Sequence, residues 1–160
     1  MRPPSASSGS TGGGSESGVE RLINAATEND VKRIVEEIKS GVDVNSRGWE
    51  YLETALHVAA KKDHCGSVKA LLEARADIEA RESMGFTPLM LAAMKGSNEA
   101  LKLLIKWGAD KEARTNQGTT ALIWAVVKSN NEALKILLNA GADKEARNNK
   151  GITALIWAVV

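Results

Sequence analysis

Eight residues, TALIWAVV, occur twice in this chain, at 120–127 and again at 153–160. The copies stand 33 positions apart. A duplication at fixed spacing constrains the fold more than composition does, because it demands one structural unit used repeatedly. Aligning residues 85–117 with 118–150 leaves about 19 of 33 positions identical. Thr54, Thr87, Thr120 and Thr153 fall at the same place in successive copies. A looser first copy at 19–48 is offset by one extra residue in the Gly48–Leu52 region. The spacing divides the chain into units at 19–48, 49–84, 85–117 and 118–150, with a truncated unit at 151–160.

Each copy carries the same local instructions. The threonine precedes an apolar run, where its hydroxyl can accept from the first free N–H groups of a helix. Pro88 follows Thr87 at the first helical position, where a missing N–H costs nothing. A break such as KGSN or KSNN separates this short helix from a second, EALKLLI or EALKILL, with Leu101, Leu104 and Ile105 at helical spacing. Gly108 and Gly141 then permit the left-handed conformation that ends a helix. Arg75 stands at that position in the second unit, which predicts a strained left-handed arginine. The segment ADKEAR leads to a polar tip, TNQG or NNKG, before the next threonine. Its stacked rows of Lys111 and Lys144, Glu112 and Glu145, Arg114 and Arg147 read as a solvated face of alternating charge.

GFTPLMLAA followed by NEALKLLIKWGAD resembles the ankyrin-repeat family, and TALHVAA at 54–60 is similar to that family's helix signature. The likeness covers residues 19–160. It implies an all-α solenoid of stacked helix–turn–helix units with projecting hairpin loops, in which no unit buries its apolar face alone. It also implies a scaffold that binds another protein through its hairpin tips and the groove side of its first helices. An alternative is a non-catalytic targeting or regulatory segment of a larger protein such as a kinase or transcription regulator. Carried over position by position, the contact residues are Trp49, Tyr51, Lys61, Met84, Phe86, Met94, Lys95, Asn116, Gln117 and Lys128. Phe86, flanked by Trp49 and Tyr51, is expected to be the centre of that contact. Trp124 and Trp157 replace Val58 and Leu91 within the first helix and are expected inside the stack.

Other features exclude more than they suggest. Twenty-one basic and 20 acidic side chains give a formal charge of +1, which argues against nucleic acid or an acidic membrane as the partner. No apolar run approaches the roughly 20 residues of a membrane span. Cys65 is the only cysteine, so a reducing compartment, cytoplasmic or nuclear, is expected. Residues 1–18 are mostly Ser, Gly and Pro with little to bury, and read as a disordered tail. Asp63-His64-Cys65 places an acid, an imidazole and a thiol side by side, but chain adjacency does not aim them at one reacting atom. His57, His64 and Cys65 sit at structural slots, so no metal, cofactor, small-molecule substrate or enzymatic activity is expected. The chain stops within the first helix of a new unit, which predicts either a longer array or an end covered by another molecule.

Overall fold

The computed structural model describes residues 16–159. Nine helices run through them: α1 (Gly18–Thr27), α2 (Val31–Lys39), α3 (Ala55–Lys61), α4 (Cys65–Glu73), α5 (Pro88–Lys95), α6 (Asn98–Lys106), α7 (Ala121–Val127), α8 (Asn131–Asn139) and α9 (Ala154–Val159). Among the described residues the only extended pairings are isolated bridges, Arg47 with Thr54 and Arg147 with Thr153. The architecture is the expected all-α stack. Residues 1–15 of the expected tail lie outside the described residues, as does the side chain of Trp157. Ser17 and Gly18, which composition assigns to the tail, belong instead to the fold. The Ser17 hydroxyl accepts from Glu20 N–H while the Glu20 carboxylate accepts from Ser17 N–H, a reciprocal cap that starts α1.

The threonines cap as their spacing requires. Thr54, Thr87 and Thr120 are extended residues whose hydroxyls accept from His57, Met90 and Ile123 N–H. The second helices of the second and third units, α4 and α6, are capped differently. Neither α4 nor α6 has a cap from its own flanking side chain. Asn29 Oδ1, one unit back, accepts from Ser67 N–H at 3.2 Å, and Asp63 Oδ1 accepts from Ala100 N–H at 2.7 Å. Both residues hold a positive φ, 57° and 60°, which turns them toward the next unit. Helix capping here also joins neighbours.

The helices form two rows. α1, α3, α5, α7 and α9 pack in sequence on one side, and α2, α4, α6 and α8 on the other. Ala25, Ala26, Ala59, Ala60, Ala92, Ala93 and Ala125 are buried in the first row, where missing side-chain bulk lets backbones approach. Leu71, Leu101, Leu104 and Leu137 fill the space between the rows and are fully buried. A single unit would leave half of these exposed, so stability comes from the interfaces.

Two irregularities match the sequence. The hairpins of the third to fifth units close with backbone bonds from Glu82 to Phe86, Thr115 to Thr119 and Asn148 to Ile152. The second closes from Gly48 N–H to Glu53 C=O at 2.8 Å, one residue longer, and Leu52 takes a φ of 56° where the others have glycine. Arg75 has a φ of 65°. Replacing it with glycine removes about 1–2 kcal/mol of left-handed strain and adds back about 0.4–1 kcal/mol of unfolded-chain entropy. Arg75→Gly is therefore expected to raise the melting temperature by about 3 °C in thermal denaturation. A lower value would show that the arginine side chain stabilises the unit by more than its backbone costs.

The ADKEAR rows are largely exposed, as expected, and also bond to backbone. Each arginine reaches a backbone carbonyl of the next unit: Arg47 to Arg81, Arg81 to Arg114, and Arg114 to Arg147. The same guanidinium also donates to its own hairpin, Arg114 to Gly118 C=O at 3.1 Å and Arg147 to Gly151 C=O at 3.0 Å. The glutamates accept from backbone as well, Glu79 from Asp110 N–H and Glu112 from Asp143 N–H, at 2.7 and 2.8 Å. Hairpin backbone that lacks a sheet partner must find hydrogen bonds elsewhere, and these side chains supply them.

Candidate binding surface

The hairpin tips are tied in series by one backbone bond per step. Ser83 N–H donates to Tyr51 C=O, Asn116 N–H to Met84 C=O, and Asn149 N–H to Gln117 C=O, at 2.9–3.1 Å. Asn116 and Asn149 side chains add a second bond to Ser83 C=O and Asn116 C=O. This ladder requires the tip glycines. A Cβ on Gly118 would stand 2.2 Å from Asn149 Oδ1 and 2.9 Å from its backbone nitrogen, at a φ of 74°.

The expected contact residues separate into two groups. Trp49 is 88% exposed, Tyr51 53%, Leu52 46% and Met84 53%, on adjoining tips. Large apolar side chains left in water together are what interface anchors look like. Farther along, Asn116, Gln117, Thr119, Ile123, Trp124, Val127, Asn148, Asn149 and Lys150 line a concavity of about 400 Å³ between the tips and α7. Lys95 and Lys128 are exposed, and Met94 is half-buried against the core. Lys61, also half-buried, pairs with Glu53 at 2.6 Å.

Phe86 is a correction. It is 6% exposed, and its N–H donates to Glu82 Oε1 at 2.8 Å. Following left-handed Gly85, it turns inward, and its ring lies 5.2 Å from that of Trp124. Phe86 therefore cannot be the centre of a contact; it supports the residue that lines the cavity. Trp124 departs from expectation in the opposite sense. It is half-buried, forms part of the cavity wall, and its indole N–H has no acceptor. Sequence reasoning did not place Trp124, Asn149 and Lys150, which line the cavity, among the candidate contact residues. The signal available was tip position for the last two, and an indole in a slot where Val58 and Leu91 suffice for the first.

The histidines and the cysteine are structural. His57 is fully buried, with Nδ1 accepting from Thr54 N–H at 3.1 Å and Nε2 donating to Phe86 C=O at 2.9 Å. That pattern fixes the neutral ring, and burial holds its pKa below the ordinary value. His64 Nδ1 donates to Ala26 C=O at 3.1 Å, tying the second unit to the first. The Cys65 thiol points at Asp63 C=O, 3.7 Å away, and partial burial with Asp63 nearby pushes its pKa up. A nucleophilic thiol needs the opposite shift.

A family model described as ankyrin repeats (3 copies) matches residues 22–115 and 110–160. Ankyrin repeat domain-containing protein 40 of Mus musculus is 40% identical over 76 residues, 45% of this chain and 20% of that protein. Serine/threonine-protein kinase 12 of Arabidopsis thaliana is 40% identical over 68 residues, 42% of this chain and 15% of the kinase. Neurogenic locus notch homolog protein 1 of Homo sapiens is 36% identical over 80 residues, 49% of this chain and 3% of that protein. The matched region thus spans a fifth or less of these relatives. Ankyrin repeats generally mediate protein–protein interaction, and among the described residues no helix is long and apolar enough to cross a membrane. Helix pairing, threonine caps, tip ladder and family match agree: this chain belongs to the ankyrin-repeat family.

Proposed function

We propose that this array is a scaffold that binds another protein along the line of its tips and the groove beside them. The observation that carries the reading is the exposure of Trp49, Tyr51, Leu52 and Met84 on adjoining tips, continuous through the ladder with the cavity at Trp124. Interface energy concentrates in aromatic anchors of this kind. Trp49, Tyr51, Met84, Met94, Lys95, Asn116, Gln117 and Lys128 are the proposed contact residues, with Lys61 held in place by Glu53. The single thiol favours a reducing compartment, cytoplasmic or nuclear, for this work. The small matched share of the kinase and of the Notch relative favours a second reading, in which the same surface targets or regulates a larger protein.

The test compares affinity capture by the wild-type array and by a variant carrying Trp49→Ala, Tyr51→Ala and Met84→Ala. All three side chains are exposed, so the variant keeps its helical circular dichroism and melting temperature. Captured protein is expected to fall at least about tenfold, since losing one anchor alone costs on the order of 2 kcal/mol. An unchanged capture profile overturns the tip-centred reading.

A further inference from the structure

Resting on the protein-binding reading above, we propose that the groove of the third to fifth units takes an extended acidic peptide segment, with an apolar side chain seated against Trp124. Three observations converge on this occupant. The first is charge. Lys95 and Lys128 stand at the ends of α5 and α7, and Lys150 lines the cavity. Among the described residues none of the three makes a salt bridge.

Several carboxylates near the groove are engaged elsewhere. Glu82 is buried and accepts from Met84 and Phe86 N–H; Glu99 pairs with Lys102; Glu112 and Asp143 accept from backbone amides. No carboxylate lines the cavity. In the second unit Lys61 pairs with Glu53, while Lys62, in register with Lys95 and Lys128, is exposed and among the described residues makes no salt bridge. Lys62, Lys95 and Lys128 therefore form a row of unpaired cations at the ends of the first helices, beside the cavity that Lys150 lines.

The second observation is spacing. Packed helices lie roughly 8–10 Å apart, so Lys95 and Lys128 are one such step apart along the stack. A chain extended as polyproline II advances about 3.1 Å per residue with three residues per turn, so one step corresponds to about three peptide residues and returns to the same face. Carboxylates three residues apart match the lysines. The third is the cavity itself. Its wall joins the faces of Ile123, Trp124 and Val127 to the amides of Asn116 and Asn149. Among the described residues the Trp124 indole N–H is the one buried donor without an acceptor. An apolar side chain fills the wall.

The experiment measures fluorescence anisotropy of three labelled decapeptides on the full chain. One carries two glutamates three residues apart followed by leucine; the others carry lysine or glutamine at the two charged positions. The glutamate peptide is expected to bind about tenfold more tightly than the glutamine peptide, with the lysine peptide weakest and the differences shrinking at high salt. Combining Lys128→Glu with Lys150→Glu is expected to invert that order while leaving the melting temperature unchanged. Trp124→Phe, which keeps a ring but shrinks the apolar wall, is expected to weaken all three peptides several-fold without altering their order. Equal binding of glutamate and lysine peptides, an order that survives the double reversal, or no binding of any peptide overturns the proposal. The scaffold reading survives each of those results if the tip variant still loses captured protein, and falls only if that variant behaves as wild type.

Discussion

Leu101→Ala is expected to lower the unfolding free energy by about 3 kcal/mol, read from urea denaturation followed by circular dichroism. Leu101 lies in α6, fully buried where the third unit meets its neighbours on both sides. Truncation removes apolar burial and leaves a cavity whose walls belong to three units, so the backbone cannot collapse around it cheaply. In a stack held by nearest-neighbour interfaces, weakening a central unit also divides the array. The transition is expected to broaden or split, with the units before and after α6 melting at different urea concentrations. A loss under about 1 kcal/mol with a single sharp transition would mean that the core does not depend on this layer.

His57→Ala is expected to cost a similar amount, about 3 kcal/mol, by a different route. It leaves Thr54 N–H buried without a partner and Phe86 C=O with Glu82 N–H alone, and it severs the bond between the second unit's first helix and the third unit's hairpin. The wild-type ring also makes stability depend on pH. Burial holds its folded pKa below the ordinary 6.5, so the folded state carries the neutral ring while the unfolded chain takes up a proton first as pH falls. The contribution of His57 is thus complete above about pH 6.5 and declines as pH drops below it, by at most about 1.4 kcal/mol per pH unit. The decline ends once the folded ring protonates too. Urea midpoints between neutral and mildly acidic pH should fall more steeply for wild type than for His57→Gln. Parallel curves would remove His57 as the source.

Features set by neighbouring residues in the chain were legible without coordinates. The threonine caps, the left-handed Arg75, the lengthened second hairpin and the pairing of short helices all follow from local chemistry repeated at a fixed period. What could not be read was which way a side chain on a tip faces, because that depends on how one tip bonds to the next. Phe86 and Met84 flank the same glycine, yet Phe86 is buried against Trp124 and Met84 is exposed. The arginine rows are solvated as expected, but their bonds to the next unit were hidden for a related reason. A charged residue repeated every unit reads only as a solvated face until the carbonyls one unit away come into view. The contact residues were sought on the tips and first helices, while the cavity at Trp124 appeared only when two units were stacked.

The bonds joining each tip to the next, one peptide N–H and at two steps one asparagine amide, set how the array can bend. The tips are far from the packed helices, so a small tilt between neighbouring units moves them apart most. They work at the end of a lever arm, where a partner pressing between two tips has only one or two weak bonds to strain. Curvature can then change one joint at a time without disturbing leucine packing, and the compliance of each joint is set by whether an asparagine reinforces it.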